Sequence, residues 1–283
     1  MIDTYKLAKL LVCWLPVRSW RHKMRKHVAN VFVYFGKIYY SCDLLYPVSI
    51  SKLISDKNTK CLIISPHPDD ETIGCGGIMA KHPNNFDVVC INSSGVKYPW
   101  DTESADKIAD TRIAEFNSVM KFLGIKKFWI FKIFGKPPMF DRIIKNKKNY
   151  LNVLDFKKYD YIFVPDWFDA HREHRFLSQN FIPKLMRKNG YSRHTKIVFY
   201  SVWATLDTPN YFEDISEYIQ KKQQAILLYK SRTKNSDNYS TRITGLNYYY
   251  GMLNNCKYAE AFKVISIYDY LHHHDDKTWA KIN

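Results

Sequence analysis

The sequence predicts a single α/β domain on a mainly parallel sheet with helices on both faces, and three observations carry that expectation. Short apolar runs of strand length recur at 60–65, 86–92, 128–132, 161–165 and 196–203, with helical patterns between them. Alternation of this kind yields parallel strands covered on both faces, a Rossmann-like arrangement. The best helix spans 105–123, where Ala109, Ile113, Phe116, Met120 and Leu123 repeat at helical spacing and Gly124 stands where a C-terminal cap belongs. No internal repeat, Gly/Ser linker or low-complexity tract marks a second folded domain.

Taken in order, residues 1–57 read as a basic amphipathic extension. Leu7, Leu10, Leu11 and Trp14 make one apolar stripe, Pro16 interrupts it, and Arg18, Arg21, Lys23, Arg25 and Lys26 follow. That is the pattern of a segment that buries its stripe in an anionic membrane surface and sets cations among headgroups. The apolar run within residues 1–30 is too short to span a bilayer, Pro16 interrupts it, and a basic stretch lies where a secretory cleavage site would fall. Packing on the chain's own domain is the alternative. Residues 31–57 read as an irregular lead-in.

The whole chain has 283 residues, 46% hydrophobic and 16% aromatic, which supplies a sizeable core and excludes disorder throughout. Its formal net charge is +16, of which residues 1–57 carry +7, from ten Lys/Arg against three Asp/Glu. Such a balance favours anionic partners without choosing among them. No helix-turn-helix or zinc-finger spacing is present, so no nucleic acid is expected. Six cysteines without a C-x-x-C pair fit a reduced, cytoplasmic compartment, with residues 1–30 suited to its membrane face.

From residue 58 to 283 the pattern is that of the domain. The first strand run leads into Pro66-His67-Pro68-Asp69-Asp70-Glu71, then Gly74, Gly76 and Gly77. This places ligand-type side chains at one strand's C-terminal end, where open α/β sheets bind ligands. G-C-G-G is not a dinucleotide fingerprint, and an acidic turn repels a pyrophosphate. A cation suits the turn better: His67 and Asp70, three residues apart, can converge on one ion while Asp69 stands beside it, and a zinc site needs a third ligand. After the run at 161–165 come Asp169, His171, Glu173 and His174; a helix starting near His171 sets both imidazoles on one face of its first turn. Beyond about 204 we expect helices and a smaller appended element. Tyr248, Tyr249 and Tyr250 can stack on a sugar or pack, and the run from His272 to Asp276 reads as solvated surface.

These residues resemble the PIG-L/LmbE-like family of zinc-dependent N-acetylglucosaminyl deacetylases. The likeness rests on Pro66 through Gly77, on Arg112 and Glu115 in a helix ending Leu123-Gly124, on Asp169 through His174, and on Tyr258-Ala259-Glu260-Ala261-Phe262. It implies that His67, Asp70 and His174 bind Zn2+, that Asp69 is the general base, and that Arg112 contacts the sugar. Fe2+ suits the same ligands nearly as well. His171, if protonated, would stabilise the oxyanion or pass a proton to the leaving amine. A surface ion pair with Glu115 is the alternative for Arg112.

Two departures stand out: Glu173 occupies the usual place of an aspartate, and Asp169 stands where some members have a tyrosine. Asp169 is assigned instead to orienting a histidine. Glu71 by default faces the helix dipole. The expected function is a metal-dependent hydrolase that removes an N-acetyl group from an acetamido sugar carried on a nucleotide, lipid or glycoconjugate, in surface-glycan assembly. The rivals are a zinc hydrolase of another amide or ester, and a peripheral membrane-associated binding protein with a vestigial site.

Overall fold

The structure, a computed structural model, describes residues 52–92, 102–131, 154–233 and 238–272, all within the compact unit Ile50–Asn283. The amphipathic segment 1–30 and the run from His273 lie outside the described residues.

Seven strands among the described residues form one sheet in the order β3-β2-β1-β4-β5-β7-β6. β1 (Cys61–Ser65), β2 (Phe86–Cys90), β3 (Lys127–Ile130), β4 (Tyr161–Pro165) and β5 (Lys196–Tyr200) pair in parallel, as expected. Three of the predicted runs overshoot their strands, that at 128–132 ending as strand at Ile130. Beyond Cys90 the backbone follows the loop after β1, with Ile91 N–H on the Ser65 carbonyl and Asn92 N–H on that of Pro66. Beyond Tyr200 it turns away until Trp203 N–H meets the Asp169 carboxylate at 2.9 Å.

After 204 the expected helices are present, but the rest of that region is not a smaller appended element, which corrects the sequence expectation. β6 (Tyr211–Asp214) and β7 (Ala259–Ser266) extend the same sheet antiparallel, β7 pairing with β5 and with β6. Glu260 and Lys263 interrupt the apolar run of β7 and hide it from a periodicity search.

Side chains alternate across the sheet with period two, and both faces are buried. Leu62, Ile64, Ile162, Val164, Ile197 and Phe199 face one core, while Cys61, Ile63, Phe163, Val198 and Tyr200 face the other. Leu53 and Ile54 join the second, so the packed domain starts before residue 58.

Among the described residues the α-helices are α1 (Asp70–Lys81), α2 (Ala105–Leu123), α3 (Arg172–Phe176), α4 (Ile182–Asn189), α5 (Ile219–Leu227), α6 (Lys230–Thr233), α7 (Tyr239–Leu253) and α8 (Ile267–His272). α2 has the predicted bounds: the Ser104 side chain accepts from Lys107 N–H, and Gly124 closes it at φ 91 in the left-handed region. α1 is buried from Asp70 to Ala80. Its glycines serve close packing, since a Cβ at Gly74 would lie 2.2 Å from the Tyr200 ring and one at Gly77 would lie 2.6 Å from Ile215. No helix among the described residues is long and apolar enough to cross a membrane.

The chain runs from β1 outward to β3, then returns to β4 on the other side of β1. Between the C-terminal ends of β1 and β4 the loops diverge and leave a crevice, the topological switch point of an open sheet. The loop after β1 carries His67 to Asp69 and leads into Asp70 at the start of α1, and the loop after β4 carries Asp169 to His171 and leads into α3, which carries His174.

Candidate metal centre and catalytic site

His67, Asp70 and His174 meet at that crevice, and all three are buried. His67 Nδ1 lies 3.1 Å from Asp70 Oδ2 and 3.3 Å from His174 Nε2, and His174 Nε2 lies 3.1 Å from Asp70 Oδ2. Three donor atoms at these separations match three corners of a tetrahedron around an ion with bonds of about 2.0–2.2 Å. A looser set, one nitrogen from each of His67, His171 and His174, falls within 4.8 Å.

The outer ring nitrogens show why the triangle calls for a cation. His67 Nε2 contacts Glu173 Oε2 closely, and His174 Nδ1 stands 3.1 Å from Asp169 Oδ1, off the line of an ideal hydrogen bond. With a proton on each outer nitrogen, the lone pairs of His67 Nδ1 and His174 Nε2 converge with Asp70 Oδ2 on one point. Converging lone pairs repel unless a proton or a metal ion lies among them. The residues present therefore fit a divalent metal.

The electrostatics of the cation-free chain agree. Burial works against charging His174, but Asp70 and Asp169 outweigh it and push its pKa up to about 10. Burial likewise opposes ionisation of Asp70, yet the His174 charge and hydrogen bonds from both imidazoles hold it well below the usual carboxylate range.

Asp69 stands beside the triangle and is not part of it. Burial raises its pKa to about 6, Asp70 adding to the rise while Arg232 opposes it. Oδ2 has Arg232 Nε at 3.3 Å and accepts from Tyr239 OH at 3.3 Å; Oδ1 is buried without a hydrogen-bond partner. Its backbone sits at φ 113, a conformation an L residue takes under strain, and such strain collects at functional sites.

His171 caps the start of α3, as the sequence expected of a helix beginning there, with its ring centroid 4.7 Å from that of His174 and 5.0 Å from that of His67. Partial burial, then the charges of His174 and His67, lower its pKa, so neutral imidazole is favoured over the protonated form. Asp169 is buried; Oδ1 accepts from His171 N–H at 2.8 Å, besides its contact with His174. Arg112 is only 3% exposed, so a surface ion pair does not describe it; Glu115 accepts from the Ser231 amide and hydroxyl instead. Glu71 is buried too, accepting from Tyr229 OH at 2.5 Å and Thr72 OH at 2.8 Å, and burial raises its pKa to about 7.

The sequence reading named Glu173 without giving it a partner, and it missed two neighbours outright. Glu173 reaches His67, while Arg232 and Tyr239 reach Asp69 from α6 and α7. No spacing near the acidic turn points to the last two.

Residues 62–183 match the family described as PIG-L: GlcNAc-PI de-N-acetylase. A diacetylchitobiose deacetylase of Thermococcus kodakarensis is 26% identical over 227 residues, covering 73% of this chain and 83% of the relative. The solved N,N'-diacetylchitobiose deacetylase of Pyrococcus horikoshii superposes with a TM-score of 0.61 at 23% identity, covering 81% of this chain and 92% of that one. A 4-carboxy-2-hydroxymuconate hydratase of Pseudomonas putida shares the fold at a TM-score of 0.50 and 18% identity, covering 73% and 96%. One fold thus carries two different reactions, and the reaction must be argued from the site.

Proposed function

Because residues 62–183 place this chain in the PIG-L/LmbE-like deacetylase family, we propose that it is a divalent-metal-dependent hydrolase removing the N-acetyl group from an acetamido sugar. The observation that carries this reading is the triangle of His67, Asp70 and His174 with an unpartnered Asp69 carboxylate oxygen beside it. Zn2+ or Fe2+ held by those three residues would supply Lewis acidity, lowering the pKa of water and polarising an acetamide carbonyl.

The chain's own groups then handle the protons. Asp69, ionised at neutral pH with a pKa near 6, takes a proton from the attacking water through Oδ1. As the C–N bond breaks, it returns that proton to the leaving nitrogen, and acetate and the amino sugar are released. His171, held neutral, offers a ring N–H to the carbonyl oxygen as negative charge develops there. Glu173 and Asp169 fix the two ligand imidazoles from their outer nitrogens. Arg112 is retained as a contact for the sugar. The basic segment 1–57 supports a substrate presented at an anionic membrane surface, such as a lipid-carried glycan.

Acetate release from N-acetylglucosaminides by zinc-loaded protein tests the proposal. We expect activity that is lost on chelation, restored by the metal, and absent in His174→Ala. Full activity after complete metal removal, or hydrolysis of simple acyl amines in preference to acetylated sugars, would overturn it.

A further inference from the structure

The short helix α6 carries Arg232 to Asp69, yet no residue of α6 is buried. An element with so little buried apolar surface gains little from the core, so its place depends on polar contacts. Tyr229, buried just before it, ties one end down: its hydroxyl donates to Glu71 Oε1 at 2.5 Å. Two residues on, α2 grips the turn from the other side. Glu115 accepts from the Ser231 amide through Oε1 at 2.8 Å and from the Ser231 hydroxyl through Oε2 at 2.6 Å. Both carboxylate oxygens are thus given to one residue 116 positions away. Hydrogen bonds to a carboxylate are about twice as strong as neutral ones, and a two-point contact fixes direction as well as distance.

Ser231 is joined by one peptide bond to Arg232, whose own N–H closes the turn on the Tyr229 carbonyl at 2.9 Å. A shift of Ser231 is therefore passed to the guanidinium beside Asp69. The orientation of Asp69 depends on it. A carboxylate exchanges its two oxygens by rotating about the Cβ–Cγ bond, and Arg232 and Tyr239 select one orientation by holding Oδ2, which leaves Oδ1 for a water. The two holders are not equally secure. Tyr239 opens a helix of 15 residues whose inner side is buried, whereas Arg232 belongs to one of four residues. The grip of Arg232 is only as firm as the contact that Glu115 makes.

We propose that Glu115 is a positioning residue: by clamping Ser231 it keeps Arg232 on Asp69 and so keeps Asp69 Oδ1 free for the attacking water. The inference rests on the deacetylase reading for the role of Asp69. The test uses full-length, zinc-loaded chain carrying Glu115→Ala, Glu115→Gln, Arg232→Ala, or Glu115→Ala with Arg232→Ala. We expect Glu115→Ala to lower kcat for acetate release from N-acetylglucosaminides by ~10-fold or more, with KM, zinc affinity and Tm close to wild type. A glutamine still accepts from the Ser231 amide and donates to its hydroxyl, so Glu115→Gln should restore most of the rate. Adding Glu115→Ala to Arg232→Ala should change kcat by less than ~2-fold, because the two act through one contact. A second readout needs no turnover. The Arg232 Nε–H resonance, assigned by its loss in Arg232→Lys, should move toward that of a solvated arginine in Glu115→Ala and keep its place in Glu115→Gln. Losses that multiply in the double variant, a raised KM at unchanged kcat, or an Arg232 resonance indifferent to Glu115→Ala, overturns the clamp. A wild-type chain that shows the resonance change and releases no acetate supports the clamp and refutes the deacetylase reading, so the two fail separately.

Discussion

Asp69 sits at φ 113, buried, with one carboxylate oxygen unpartnered. Strain of this kind costs ~1–3 kcal/mol, and burial of the charge adds to it. Its raised pKa, about 6 in the cation-free chain, fixes the sign of the pH effect. The group favours the folded chain below its ordinary value, and that contribution is lost as pH rises through 6. Asp69→Asn keeps the shape, tolerates positive φ better and carries no charge. We expect kcat to fall by ~10²–10⁴-fold, while the cation-free variant melts at least as high as wild type at pH 8. A variant that keeps its activity, or that melts well below wild type there, would contradict this account of Asp69. Glu173 offers a second case. The sequence marked it only as a departure from an aspartate, yet its longer side chain spans to His67 Nε2. Glu173→Gln should weaken metal binding by ~10–100-fold, read by competition with a chromophoric chelator, and an unchanged affinity would remove Glu173 from the orienting role.

At the scale of elements, α1 is fixed by groups far from it in sequence. Glu260 on β7 accepts from the Gly77 and Ile78 amides at 2.7 and 2.8 Å, and Lys222 on α5 donates to the Ile73 carbonyl and to Glu260, both at 2.7 Å. Both side chains are buried, at 0% and 1% exposure. A buried pair of this sort adds little net stability over an apolar replacement, but removing one partner strands the other. Lys222→Met is predicted to cost ~3–5 kcal/mol in urea denaturation, with the Lys222→Met/Glu260→Gln double variant recovering part of it. Equal losses in single and double variants would show that the ion pair is not the cause. These elements also mark where the sequence was legible. β1, β4 and the start of α3 were readable because an apolar run ends abruptly in ligand-type residues. β7 was not, because Glu260, the residue that anchors α1, breaks its periodicity. Tyr239 and Arg232 were unreadable for another reason: their contact with Asp69 is made only by tertiary packing of α6 and α7.

For the whole molecule, the strand order brings two loops that are distant in sequence to one crevice, so a metal ion there ties the β1 side of the domain to the β4 side. The parallel part of that order follows from the βα alternation in the sequence. The switch point does not, because nothing local says on which side of β1 the strand β4 will pair. Loading the ion should therefore stabilise the fold as well as enable chemistry. At 100–1,000-fold excess over its Kd, binding to the folded chain alone contributes about 3–4 kcal/mol, on the order of 10 °C for a domain of this size. The effect should grow with pH. His174, pushed up to about 10 by Asp70 and Asp169 against the pull of burial, is protonated at neutral pH in the cation-free chain and must release that proton to solvent when the ion binds. Because its folded-state pKa is raised, protonated His174 stabilises the cation-free chain fully below 6.5, and this support is lost as pH rises through about 10. The loaded chain has no such proton to lose. The melting difference between loaded and cation-free protein should therefore widen from pH 7 to pH 10, and metal affinity should climb ~10-fold per pH unit over that window. Calorimetry in two buffers of different ionisation heat should find at least one proton released per ion at pH 7. A flat affinity profile with no proton release would mean that His174 is not a ligand, and the three-atom triangle would lose its assignment.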